Sequence, residues 1–119
     1  MRTALAAALV LIAPACNAYE TAIEIDRNCR LSSSTETIEV LRYMHCSAYI
    51  TGVIDGVLML QTKLAPEQQL LCPPNNYLAP KSSEAAVLGW LSRNPSRLNS
   101  SARVAVLSAL IDAFPCGRK

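Results

Sequence analysis

Cysteines are the residues of this sequence with the most chemistry to offer, because a thiol can bind a metal, act as a nucleophile or form a disulfide. Apart from Cys16, which lies in an N-terminal apolar segment, there are four: Cys29, Cys46, Cys72 and Cys116. No two of them form the C-x-x-C pair that is typical of a zinc site, so the sequence predicts no metal. An even number of cysteines in a small exported domain instead predicts a disulfide framework.

The pairing of these cysteines is open on sequence alone, because four cysteines allow about three pairings. The expected arrangement of the helices favours one of them. If the last two helices form an antiparallel hairpin, Cys116 returns towards Cys72. Cys29, at the end of a short first helix, is then left to pair with Cys46 on a long second helix. We therefore predict the pairs Cys29 with Cys46 and Cys72 with Cys116.

His45, the only histidine, lies next to Cys46 and invites the hypothesis of a Cys/His catalytic pair. Neighbouring residues on a helix point about 100° apart, so these two side chains are not expected to form a dyad. The sequence also contains no paired carboxylates at a useful spacing, no glycine-rich phosphate loop and no hydrolase motif. We therefore expect neither an enzyme nor a cofactor.

Asp55 is the only charged residue between Arg42 and Lys63, in an otherwise apolar stretch. A charge there needs a partner. Two interpretations remain open at this point. Asp55 either bonds a neighbouring helix end or serine, or belongs to an interface with another protein.

The element that must position these residues is a long helix, which we predict over residues 35–63 with Ser34 or Thr35 as its cap. No proline interrupts it. Six residues at helical spacing predict its buried face: Cys46, Tyr49, Ile50, Val53, Val57 and Leu60. The helix is expected to be the centre of the domain.

Small residues recur every fourth position on the same helix, at Ala48, Gly52 and Gly56. A glycine inside a helix costs about 1 kcal/mol relative to alanine, so this row predicts close packing of a second helix. Ile54 and Leu58 lie outside both rows. We therefore expect either the first helix or a second subunit to cover them.

Three further helices are predicted around the long one. The first and weakest covers residues 19–30, and residues 64–81 form a proline-rich loop. The third helix, capped by Ser82 or Ser83, ends before Pro95. The last is capped by Asn99 or Ser100. The predicted inward residues of the last two helices are Val87, Trp90, Leu91, Val104, Leu107, Ile111 and Phe114. The fold class is thus all-α, a small disulfide-stapled bundle of about four helices around one long central helix.

The N-terminal segment, residues 1–18, has the positive start, short apolar run and small final residue of a signal peptide. Its removal predicts an exported domain over residues 19–119 that does not insert into the membrane. Residues 13–15 loosely resemble the box that precedes a lipidated cysteine. Ala13 stands where that box usually has leucine, so we expect Cys16 to be discarded and not lipidated.

Composition places the chain among globular proteins, with 51% hydrophobic and 17% charged residues and a net charge of +2. No basic stripe is interleaved with aromatic residues, so nucleic acid is not an expected partner.

Several motifs, in the right order, resemble those of the Rap/Tai family of immunity proteins against type VI secretion amidase effectors. The first resembles the family's C-x-x-Y-I-x-G-V-x-D core: Cys46, Tyr49, Ile50, Gly52, Val53 and Asp55. The others resemble its C-x-P, Y-L-x-x-x-P and F-P-C elements: Cys72 with Pro74, Trp90 and Leu91 with Pro95, and Phe114 with Pro115 and Cys116. We expect these motif residues, together with Gly56, to determine the fold and its disulfides more than the surface that contacts a partner.

The resemblance implies a helical, non-enzymatic, periplasmic protein, commonly a homodimer, that occludes the active site of a peptidoglycan-cleaving amidase. Loops on rigid scaffolds are the usual recognition surfaces, so the expected effector contacts lie in the proline-rich loop, at Glu67, Asn75, Asn76 and Tyr77. The alternative is a small periplasmic structural or chaperone-like helical protein without a toxin partner.

Overall fold

Four α-helices make up most of residues 19–117, the part of the chain that a computed structural model describes. They are α1 (Ala22–Cys29), α2 (Thr37–Gln61), α3 (Pro80–Arg93) and α4 (Ala102–Ala113). Short 3-10 turns occupy Pro66–Gln68, Pro74–Asn76 and Pro95–Arg97. The part of the chain described contains no strand, only two isolated bridges. The all-α prediction is confirmed, whereas the predicted signal peptide and Cys16 lie outside the described residues.

The core forms where α1, α3 and α4 each contact α2. From α2 it receives Cys46, Ile50 and Ile54. A disulfide joins Cys46 to Cys29 at the end of α1, and this is the predicted pair. Both sulfurs are buried with the core. The first disulfide therefore fixes the shortest helix to the longest one.

The buried face of α2 differs from the predicted one at its C-terminal end. Leu60, predicted to be buried, is 71% exposed, whereas Ile54 is only 6% exposed. The buried positions recur at Cys46, Ile50, Ile54 and then Gln61. A helix that is apolar nearly all round shows its period in the sequence but not its orientation, because apolar residues lie on every side.

The predicted inward face of α4 is also partly wrong, since Val104 is 52% exposed. The residues that pack inward are mostly small, and Ala102, Ala105 and Ala109 are completely or almost completely buried. Alanines let α4 approach its neighbours closely. Close packing of helices in this chain therefore uses the alanines of α4.

The row of small residues on α2 does not pack against another helix within residues 19–117. A Cβ atom added at Gly52 or Gly56 would meet nothing within 4 Å there. Ala48 is exposed as well. The second helix that this row predicts is therefore not found in the described part of this chain.

Helix ends follow local chemistry that moves them by a few residues from their predicted positions. Helix α2 begins after Glu36, whose N–H donates to the Ser34 hydroxyl over 3.2 Å, and the same hydroxyl donates to Glu39 over 2.6 Å. Helix α3 begins at Pro80 instead of after the predicted serine caps, because proline suits the first helical position. Helix α4 begins after Ser101.

The start of α1 is tied to the start of α4 by backbone hydrogen bonds. The Ala22 N–H donates to the Ser100 carbonyl over 2.9 Å, and the Ala102 N–H donates to the Glu20 carbonyl over 2.8 Å. Two segments from opposite ends of the described chain thus satisfy each other's terminal polar groups.

A buried carboxylate links α2 to α3. Glu84 is 6% exposed, and its Oε2 accepts a hydrogen bond of 2.8 Å from the Tyr43 hydroxyl. Its Oε1 is buried with no partner among the described residues. The hydrogen bond to Glu84 raises the pKa of Tyr43, with burial and the negative charge as further causes. This pair is the main polar contact across the α2–α3 boundary.

We expect Ile54→Ala to lower the free energy of unfolding by about 2–5 kcal/mol, because it opens a cavity in the core. Leu60→Ala, at a surface position of the same helix, is expected to change it by less than about 0.5 kcal/mol. Urea denaturation of the oxidised protein measures both. Equal losses would contradict the orientation of α2.

Tyr43→Phe should lower the free energy of unfolding by about 1–3 kcal/mol, because it leaves the buried Glu84 without a hydrogen bond. The folded state raises the pKa of Tyr43 above its ordinary value of 10.0, so this contribution is present below that pH and is lost as pH rises through the folded-state pKa. Urea denaturation at neutral and alkaline pH measures it. The exposed Tyr77→Phe is the control, and an equally stable Tyr43→Phe protein would refute the bridge.

Candidate functional site

The long loop between α2 and α3, residues 62–79, is held at its base by the side chain of Gln61. This amide is buried, and its Oε1 accepts hydrogen bonds from the backbone N–H groups of Leu70 and Leu71 over 2.8 and 2.6 Å. Its Nε2 donates to the Leu71 carbonyl over 2.8 Å. The last residue of α2 thus replaces the strand partner that this extended segment lacks.

A second attachment follows immediately in the chain. Cys72 forms a disulfide with Cys116, the other predicted pair, and the Cys72 N–H donates to the Phe114 carbonyl over 3.0 Å. Leu71 and Pro115 form an isolated antiparallel bridge beside it. The loop is therefore fixed to both the end of α2 and the end of α4.

The tip of this loop is exposed and has a defined backbone. Asn75 and Asn76 both have a φ of 55°, in the left-handed region that asparagine tolerates better than most residues. Tyr77 follows and is 68% exposed. An exposed aromatic next to two asparagines presents hydrogen-bonding and apolar groups together on the surface.

Three of the four expected contact residues thus lie together at the tip. Glu67, the fourth, lies on the separate Pro66–Gln68 turn and is exposed. Gln61 had not been singled out from the sequence. A lone polar residue at the end of an apolar helix, ahead of a proline-rich loop, is the signal that could have found it.

The family-like motif residues divide into packing and surface positions. Tyr49, Trp90 and Phe114 are partly buried against the core. Asp55 is exposed on α2 and lines a shallow groove there. Its carboxylate is open to water, so burial does not require it to have a protein partner. Both interpretations of Asp55 stay predictions.

A second surface, which we call the outer face of α2, runs along the side of that helix opposite the core. It consists of Leu41, Met44, Ala48, Gly52, Asp55 and Met59. Its three long apolar side chains are 55%, 58% and 67% exposed. A shallow groove lined by Tyr43, Ala48 and Asp55, among others, lies along it.

His45 and the cysteines do not form a nucleophilic site. The His45 Nε2 lies 2.6 Å from a carboxylate oxygen of Glu20, and the adjacent Cys46 is in a disulfide. All four cysteines of the described part are paired, so none offers a thiolate there.

Neither a metal cluster nor a spanning helix is found among the described residues. No group of three or more suitable side chains in residues 19–117 is placed to hold a metal ion. No helix in the same range is long and apolar enough to cross a membrane.

We expect Gln61→Leu to lower the free energy of unfolding by about 2–4 kcal/mol, because it leaves buried polar groups of Leu71 unpaired. Hydrogen exchange of the Leu71 amide should accelerate. The exposed Gln68→Leu is the matched control for both measurements. If the Leu71 amide exchanged as slowly in Gln61→Leu as in the wild type, this side chain would not anchor the loop.

Comparison with known proteins identifies the family. A model of the Rap1a immunity proteins matches residues 20–116. The match spans all four helices and both disulfides. No curated protein and no solved structure gives a significant match. Since the family model covers most of the sequence, the chain belongs to the Rap1a immunity protein family.

Proposed function

We propose that this chain is a periplasmic immunity protein that binds and inhibits a peptidoglycan amidase delivered by a type VI secretion system. Membership of the family implies a protein partner, a secreted effector. The resemblance of its motifs to the Rap/Tai family supports the amidase as target. The protein acts as a homodimer and without catalysis of its own.

The observation that carries the proposal is the fixed, exposed tip of the α2–α3 loop. Gln61 and the Cys72–Cys116 disulfide hold its base, and Asn75, Asn76 and Tyr77 project from it. A rigid loop that enters a cleft gains affinity because little conformational entropy is lost on binding. In this proposal the tip fills the amidase active site and excludes the peptidoglycan substrate.

Export is the second part of the proposal. Residues 1–18 are removed as a signal peptide, and residues 19–119 form the working domain. Two disulfides support an oxidising compartment. The mass of the protein purified from the periplasm tests this directly. A chain that begins at Tyr19 agrees with cleavage, whereas a lipid-modified Cys16 would place the protein at a membrane.

The alternative, a chaperone-like envelope protein, is favoured by the exposed apolar residues of the outer face of α2. Such a protein would form monomers in acid and would suppress aggregation of an unfolded client protein. Both properties are measured without any effector. An immunity protein is expected to show neither.

We expect the wild-type protein to abolish peptidoglycan cleavage by its cognate amidase and to rescue cells that express the amidase in the periplasm. Tyr77→Ala should weaken inhibition about 30-fold or more, because tyrosines at interface centres commonly contribute about 2 kcal/mol or more. Circular dichroism should show an unchanged fold. Calorimetry and an amidase assay measure the loss.

Tyr19→Ala, which removes an exposed tyrosine far from the loop in sequence, is the matched control and should inhibit normally. Equal inhibition by Tyr77→Ala and the wild type would show that the tip of the loop is not part of the interface with the amidase. A wild-type protein that inhibits none of the amidases encoded beside its gene would refute the amidase as target.

A further inference from the structure

We propose that the outer face of α2 is the contact surface of the homodimer, with two copies of this helix crossing antiparallel about a two-fold axis near Ile50. The inference rests on the homodimer of the proposed function and adds to it a surface and an orientation. It does not depend on which effector is bound.

The outer face of α2 has apolar side chains that the described part of the chain leaves exposed. Leu41, Met44 and Met59 are each more than half exposed, and they lie on one side of a single helix. Single exposed apolar residues are ordinary on protein surfaces, but a continuous apolar row marks a contact site. Between them lie Ala48 and Gly52, which make the middle of this face flat.

The row has the symmetry of an antiparallel pair. In an antiparallel pair, a residue that precedes the axis in one copy lies level with the residue that follows the axis by the same number of positions in the other copy. Ala48 and Gly52 lie equally far from Ile50, and so do Leu41 and Met59. Small residues therefore meet at the crossing point, where the helix axes come closest. Long side chains meet further out, where the helices diverge.

Charge complementarity decides the orientation. His45 and Asp55 also lie equally far from Ile50 on opposite sides, so each histidine comes level with the aspartate of the other copy. The His45 Nε2 lies 2.6 Å from a carboxylate oxygen of Glu20, so Nδ1 is the nitrogen left to face Asp55 of the other copy, and it carries an N–H there only in the imidazolium form. In a parallel arrangement the two Asp55 carboxylates would face and repel each other.

The dimer also explains the two exposed glycines. A glycine inside a helix costs about 1 kcal/mol relative to alanine, and neither Gly52 nor Gly56 has a neighbour in its own chain that requires the missing side chain. In the antiparallel pair Gly52 lies opposite Ala48, and Gly56 comes level with Met44. Each glycine then makes room for a residue of the other copy.

This arrangement leaves the effector-binding loops free. Each loop begins at the C-terminal end of α2, and antiparallel helices direct those ends away from each other. Two tips at opposite ends of the dimer can bind two amidase molecules without interfering.

Gly52→Leu tests the surface. The wild type should sediment as a dimer at micromolar concentrations and dissociate on dilution, whereas Gly52→Leu should be a monomer or dimerise about tenfold or more weakly. Its thermal stability at low concentration should not fall, because a Cβ at this position meets nothing within 4 Å among the described residues and leucine is a better helix former than glycine. Ala85→Leu, at an exposed alanine of α3, is the control and should dimerise normally.

A charge exchange tests the orientation. His45→Glu should weaken self-association because it places a second carboxylate opposite Asp55, and Asp55→Lys should do so because it removes the carboxylate that faces His45. Mixed in equal amounts they should form a heterodimer, since one new Glu–Lys pair and one native His–Asp pair then face each other. Native mass spectrometry distinguishes this heterodimer from either homodimer by mass.

Three results would overturn the inference. If Gly52→Leu dimerised like the wild type, the homodimer would stand but would use another surface. If the two charge variants failed to pair, the antiparallel orientation would be wrong. A wild-type protein that stayed monomeric at all concentrations while still inhibiting the amidase would refute the dimer alone and leave the rest of the proposed function intact.

Discussion

The structure depends on the burial of one face of α2 against α1, α3 and α4, which also contact one another. Ile50, at the middle of this face, is completely buried. The domain is too small for a second layer of helices on the other side, so the opposite face stays exposed. One-sided packing therefore produces both the core and an apolar surface directed outwards.

A disulfide and several hydrogen bonds then attach the long loop between α2 and α3 to this packed core. An irregular segment cannot satisfy its own backbone, and here Gln61 and the Phe114 carbonyl supply the missing partners. The Cys72–Cys116 disulfide closes the longer of the two covalent loops, so in the chain-entropy model it limits the unfolded state more than Cys29–Cys46 does. The attachments that hold the loop therefore lie at its base, and Tyr77 at its tip remains exposed.

The helices, their order and the disulfide pairs follow from the sequence, because periodicity, prolines and hairpin geometry are all local or topological signals. The orientation of α2 and α4 does not, because apolar residues such as Leu60 and Val104 lie on sides that tertiary packing leaves exposed. The composition of the loop is enough to predict its exposed tip, but it does not predict the side chain that holds its base. Gln61 is recognisable only once Leu71 is seen beside it in space.

The pairing of the segments that precede α1 and α4 has a consequence for how the chain reaches its destination. Ala22 cannot make its hydrogen bond until Ser100, near the other end of the described chain, is available. Contacts between such distant positions form late, because closing a long loop is entropically costly. In a chain exported N-terminus first, as proposed above, the start of α1 would therefore remain unpaired until the residues around Ser100 had emerged.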